Sequence, residues 1–285
     1  MTKLPLARWV ETLVAWVGDN LGFLFDFLST VIGGAVNAFS SFFHALPEWA
    51  VIALVSALAF RLGRWPLAAF TLLGLLLIWN LGYWNATMDT TALVLTSSVI
   101  SIVLGLPLGI ACAGARSVQN VVTPILDFMQ TMPAFVYLIP AVTFFGLGVV
   151  PGVIASVIFS IAPTIRLTNL GIRQVPADLI EASDAFGSTP GQKLFQVQLP
   201  LALPNIMAGI NQTIMLSLSM IVIASMIGAQ GVGADVLRAV TQLNIGRGFE
   251  AGLSVVILAI VLDRLSQRIV RPGRRKSKVR TKKTA

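Results

Sequence analysis

Apolar residues recur with a helical period over the first part of the chain, and long apolar runs follow. From Val10 to Phe43 they fall at 10, 13, 14, 17, 21, 24, 25, 28, 31, 32, 36, 39, 42 and 43, while Thr12, Asp19, Asp26, Ser29, Gly33, Asn37, Ser40 and His44 share the opposite face. Such a segment either lies in a membrane interface or turns its polar face into a bundle. Asp26 and Asn37 argue against a clean lipid-exposed span. Residues 1–47 are therefore expected to form an interfacial or scaffolding helix pair.

Seven apolar runs then follow, at about 49–63, 66–84, 92–113, 124–147, 149–166, 203–229 and 249–270, each near the ~20 residues a bilayer demands. The first two are short and meet at a basic turn, Arg61-Leu62-Gly63-Arg64. The expected fold class is an all-α integral membrane protein with about seven spans. Its divisions are an amphipathic segment 1–47, two accessory spans 48–86, a core 87–270 and a basic tail 271–285. Gly105-Leu106-Pro107-Leu108-Gly109 and the stretch from Pro133 to Pro140 read as close-packing or break points within spans.

Composition supports lipid as the solvent. Of 285 residues, 56% are hydrophobic and 11% charged, against about 25% charged in soluble domains. The net charge of +8 is concentrated in the tail, beside the last apolar run, which marks the cytoplasmic side rather than a nucleic-acid partner. Arg61, Arg64, Arg116 and the basic residues from Arg166 to Lys193 join the tail on that side if the first of the seven spans enters from outside. Arg238 and Arg247 are the exceptions. The single cysteine, Cys112, excludes an internal disulfide, and the N-terminus lacks a signal-peptide cleavage pattern.

The longest polar interruption is Glu181 to Pro200, EASDAFGSTPGQKLFQVQLP, on the cytoplasmic side. It carries its own helix punctuation. Pro176 suits a first helical position, Asp178 and Glu181 favour the positive end of the dipole, and Gly187 offers a left-handed stop. Thr189-Pro190-Gly191-Gln192 reads as a capping box, opening a second short helix expected to end before Pro200. Two short helices with a knee at Gly187 to Thr189 are predicted at about 177–198. Ala177, Ala182 and Ala185 keep the first one slim, so a partner can approach closely. The plain alternative is an interfacial loop whose alanines only favour helix.

Catalytic chemistry is missing. His44 is the only histidine and no GxxxxGK[ST] loop occurs, so ATP cannot bind in that way. Intramembrane ionisable residues are nearly absent before Asp263-Arg264, which argues against a proton-coupled carrier. No enzyme activity, cofactor or metal site is expected. Energy for active transport would enter from outside the chain, and a passive channel or a membrane scaffold are the competing classes.

Glu181-Ala182-Ser183, Gly187, Val197, Leu199 and Pro200 resemble the EAA loop of permease subunits in binding-protein-dependent ABC importers, with Ser183 for the third alanine and Val197 for the isoleucine. Asp127 to Pro140, Val197 to Pro204, Ile206 to Met215 and Gly248 to Leu253 are similar to permeases for glycine betaine, proline betaine and choline. The resemblance implies a type I ABC importer transmembrane domain in the bacterial inner membrane, paired with a second copy of itself. It also implies a cytoplasmic ABC ATPase, an extracytoplasmic substrate-binding protein, and membrane lipid around the body. In that family the EAA helices dock on the ATPase. This implies coupling roles for Glu181, Ala182, Ser183, Ala185, Phe186, Gly187, Leu199 and Pro200, with Ile180 and Phe186 as apolar anchors. Met129, Gln130, Thr131, Phe135 and Tyr137 on one span, and Asn211, Gln212 and Thr213 on another, either face an aqueous pathway or make interhelical hydrogen bonds.

Overall fold

The computed structural model describes residues 5–270, and the basic tail lies outside them. Eleven α-helices account for nearly all of these residues: α1 (Leu6–Ala45), α2 (Glu48–Asn80), α3 (Trp84–Gly114), α4 (Arg116–Thr131), α5 (Leu138–Phe145), α6 (Val149–Arg173), α7 (Ala177–Ala185), α8 (Pro190–Gln192), α9 (Leu199–Ala224), α10 (Val232–Thr241) and α11 (Ile245–Val270). A 3-10 turn (Ala134–Tyr137) precedes α5, and a π turn (Lys193–Gln198) joins α8 to α9.

The centre is α6, packed between α3 and α9. Small residues every fourth position make this possible: Ser97, Ser101, Gly105 and Gly109 on α3, Ser156, Ser160 and Thr164 on α6, and Gly209, Thr213 and Ser217 on α9. All are buried. A Cβ on Gly109 would lie 2.8 Å from the Ile165 carbonyl oxygen, and one on Gly209 2.9 Å from that of Pro163. Only glycine allows both backbones so near α6. The hydroxyls meet across the seams. Ser101 pairs with Ser160 at 3.1 Å, Ser217 donates to Ser160 at 2.9 Å, and Thr213 donates to the Ser160 carbonyl at 2.8 Å. In hydrocarbon each such bond contributes about 0.6 kcal/mol.

The accessory segment α2 turns back on itself. Its start follows His44, whose Nε2 lies 2.9 Å from Asp89 near the head of α3, and its end runs within four residues into that same head. Both ends of α2 thus lie on one side, whereas 33 residues of straight helix would extend about 50 Å. The reversal is at Arg64, with φ 62°. A Cβ on Gly63 would stand 2.7 Å from the Leu67 Cβ, far inside the ~5–6 Å of neighbours on a continuous helix. Two limbs result, with Arg61 and Arg64 at their tip. Val51, Ile52, Leu75 and Ile78 from the limbs share a cluster with Ile257, Val261 and Leu265 of α11.

Instead of the expected helix pair, the N-terminal segment is one continuous helix, α1; nothing between Leu6 and Ala45 stops it. By length and apolarity alone α1 qualifies as a span. Its contacts say otherwise. Phe25 stacks on Phe144 at 4.6 Å, Gly33 lies beside Val150, and Ser40 and His44 reach Asp89. These partners are the outer ends of α5, α6 and α3, so the second half of α1 lies across the outer face of the body. Its first half carries exposed Trp9, Leu13, Trp16 and Phe23, the amphipathic aromatic pattern of an interfacial helix.

The run expected as one span at 124–147 is broken. α4 and the segment Ala134–Phe145 meet at 109°. Met132 is held extended (φ −76°, ψ 139°) because Pro133 follows it. Tyr137 closes the bend by donating to the carbonyl of Met129, one of the last-turn carbonyls of α4 that lack a helical partner. Outside the spans, the phenol of Tyr83 donates to the Arg247 carbonyl at 3.4 Å. Burial, reinforced by the carboxylates of Glu250 and Asp235, raises its pKa above the usual 10.0.

Candidate coupling site and pathway wall

The polar stretch after α6 folds into a knuckle between α6 and α9, on the side the charge rule assigns to the cytoplasm. Pro176 does not occupy the first helical position; it precedes α7 in an extended conformation (φ −54°, ψ 136°) and its carbonyl accepts from Leu179. α7 stops where glycine permits. Gly187 has φ 75°, and the amides of Gly187 and Ser188 return to the carbonyls of Asp184 and Ser183 at 2.9 and 3.1 Å, satisfying end groups the helix leaves open. The capping box forms as its spacing predicts: Gln192 N–H donates to Thr189 Oγ1 at 3.3 Å, and Thr189 N–H donates to Gln192 Oε1 at 2.9 Å.

The second short helix does not end before Pro200. It widens into the π turn and continues as α9, so the helix runs from Pro190 to Ala224 without an exit. An α-helix would force the Pro200 ring against the Gln196 carbonyl. The π turn relieves this by hydrogen bonding one residue further back, with Leu199 N–H on the Leu194 carbonyl. Lys193 Nζ lies 2.5 Å from Asp184 Oδ1, a strut across the knee.

The knuckle presents its predicted coupling residues unevenly. Glu181, Ala182, Ala185, Gly187 and Pro200 are exposed and Leu199 is half-buried. Phe186 is 91% exposed, with Leu179 and Phe195 exposed on the same knuckle. Ser183 is buried and its hydroxyl has no partner, so it faces the body. Ile180 is half-buried and lines, with Arg173, Ala177 and Glu181, a cleft of about 310 Å³ between α7 and the end of α6. It anchors α7 to its own chain, while Phe186 is the free anchor.

The residues proposed for a pathway separate into two groups. Gln130 and Thr131 are exposed near the end of α4, and Phe135 is exposed beyond the bend. Tyr137 is buried against Met129 and Phe159. Asn211 is tied to α11: its amide donates to Asp263 Oδ1 at 3.0 Å and its oxygen accepts from Ser266. Thr213 belongs to the central seam, and Gln212 is exposed. Tyr137, Asn211 and Thr213 make hydrogen bonds inside the subunit, one of the two roles the sequence left open for them.

The fuller signal on α4 was missed in the sequence. At 100° per residue, Arg116, Gln119, Asn120, Thr123, Asp127, Gln130 and Thr131 fall within about 120° of arc. All but the half-buried Gln119 are exposed. One flanking side packs Val118, Val122, Leu126 and Met129 against Ile165 and Cys112. A third strip, Val121, Ile125 and Phe128, is apolar and exposed. A polar stripe two-thirds the length of a span is incompatible with lipid contact.

The fold defines a class: an all-helical, multi-pass membrane body with a polar knuckle between two of its helices. Residues 105–276 match the model of the binding-protein-dependent transport system inner membrane component, and the chain belongs to that family. It is 55% identical over 268 residues to the glycine betaine/carnitine transport permease protein GbuB of Listeria monocytogenes, covering 93% of this chain and 95% of that one. It is 54% identical to the glycine betaine transport system permease protein OpuAB of Bacillus subtilis, covering 94% and 95%. With the glycine betaine/proline betaine permease protein ProW of Escherichia coli it shares 46% identity over 96% of this chain and 77% of that one. The permease chain of an inward-facing methionine ABC transporter, MetNI, superposes with a TM-score of 0.62 at 22% identity, over 67% of this chain and 95% of the other. The protein is a multi-pass transport permease of the bacterial inner membrane, not an enzyme.

Proposed function

We propose that this permease imports glycine betaine or a related quaternary ammonium osmolyte as a homodimer. Each copy docks one cytoplasmic ATPase on its knuckle, and an extracytoplasmic binding protein delivers the substrate. The observation that carries the coupling role is mechanical: α7, exposed on one side, is locked by the Asp184–Lys193 strut and the capping box to a helix that continues unbroken into the core. Movement of a bound ATPase therefore reaches α9 with little slack. The relatives named for glycine betaine support the substrate class. A passive channel would give such a lever nothing to do.

The polar stripe of α4 is the wall of the pathway in this reading, completed by the same stripe of the second copy. The neighbouring Val121, Ile125 and Phe128 strip supplies apolar surface for dimer or lipid contact. In the family reading Glu181, Ala182, Ala185, Phe186 and Gly187 meet the ATPase, Ser183 braces α7 on the body, and Leu199 and Pro200 form the root of the lever.

Ala185→Arg tests this. Ala185 is exposed on α7 and its replacement disturbs no internal packing. The variant is expected to insert normally, to fail in co-purification with its ATPase, and to lose glycine betaine uptake in proteoliposomes. Normal uptake by that variant refutes docking at α7, and uptake by the permease without ATPase and ATP points to a pore.

A further inference from the structure

Among the described residues, one ion pair links two membrane-spanning helices: Arg166 of α6 and Asp127 of α4, 2.5 Å apart. The other pairs lie outside the membrane body or within a single helix. Asp127 is on the polar stripe of α4, and the two side chains are 58% and 41% exposed. The pair is therefore open to the space that the stripe lines. Arg166 is also incompletely engaged, because its Nε is buried without an acceptor. Asp263 on α11 offers the contrast. Its Oδ1 already accepts from Asn211 and Gln267 at 3.0 and 2.7 Å, which ties it to the packing between α9 and α11.

An exposed, incompletely engaged pair is a poor structural brace, since surface ion pairs contribute about 0–1 kcal/mol. It suits a zwitterion. A betaine carries a fixed cation with no N–H to donate and a carboxylate that must be matched by donors. Losing water from either end in a low-dielectric passage is costly unless an opposite charge replaces it. The idle pair neutralises itself. When it parts, Asp127 supplies the counter-charge for the trimethylammonium group and Arg166 supplies a planar donor fork for the carboxylate.

We propose that Asp127 and Arg166 form a transient substrate site on the pathway wall, selective for a compact zwitterion. This rests on the betaine reading above. The test is initial uptake of radiolabelled glycine betaine by the complete transporter in proteoliposomes, for wild type, Asp127→Glu, and the neutral pair D127N/R166Q. The neutral pair keeps a cross-helix hydrogen bond and a similar volume. It is expected to co-purify with the ATPase yet lose uptake by about tenfold or more, the scale of one charged hydrogen bond. Asp127→Glu, which preserves the charge, is expected to stay within about threefold of wild type on the same scale. Near wild-type uptake by the neutral pair overturns the site, and so does its failure to assemble, which would mark a structural strut. Wild-type complexes that take up another osmolyte but no betaine would instead overturn the substrate reading.

Discussion

The α3–α6–α9 seam and the α7 knuckle are joined by the same helix, α9, yet they are built by opposite rules. The seam is buried, glycine-lined and laced by serine and threonine hydroxyls, with Ser160 bonded to residues of α3 and α9. The knuckle leaves Phe186, Leu179 and Phe195 uncovered and satisfies its backbone through local caps. One region is packed to resist deformation, and the other exposes apolar side chains that the proposed partner would cover. A transporter driven from outside needs both, because a stroke delivered to a soft body would be absorbed before reaching the pathway.

The contrast can be broken from either side. Gly209→Leu should be the most damaging to the body. Its Cβ would meet the Pro163 carbonyl at 2.9 Å, and overpacking of this kind costs about 1–3 kcal/mol, visible as a lower unfolding temperature in detergent. Gly187→Val acts on the knuckle. With φ at 75°, a side chain there costs about 1–2 kcal/mol. The expected outcome is weakened ATPase co-purification with an unchanged unfolding temperature of the body. Thr213→Val removes donation to the Ser160 carbonyl and should lower stability by about 0.6 kcal/mol. Lys193→Ala removes the strut and should cost stability no more than ~0.5 kcal/mol; its effect is expected in coupling efficiency, read as ATP hydrolysed per substrate imported.

Much of the local structure was legible in the sequence. Thr189 to Gln192 formed its box and Gly187 its left-handed stop because both depend on residues within one turn. The break at Pro133 was also marked, though its angle was not. Pro200 misled. A proline rule that considers only the α-helix cannot foresee a π turn that accommodates the ring. Asn211 and Tyr137 were ambiguous for a different reason: a polar atom in a span serves equally as a pathway group or as a seam, and only its partner decides. Gly105 and Gly109 were read as close-packing points, but the every-fourth-residue stripe they complete with Ser97 and Ser101 was overlooked as the signal for the core.

The chain by itself determined the solvent of the fold, its all-helical make-up with about seven apolar spans, and the caps of the knuckle. These follow from hydropathy and capping, which act over one helix at most. Tertiary structure alone decided that α1 lies across the outer ends of its neighbours, that Asn211 is bonded to Asp263, and that Asp127 meets Arg166. Those outcomes depend on contacts between residues tens to more than a hundred positions apart, where periodicity carries no information about which faces will meet.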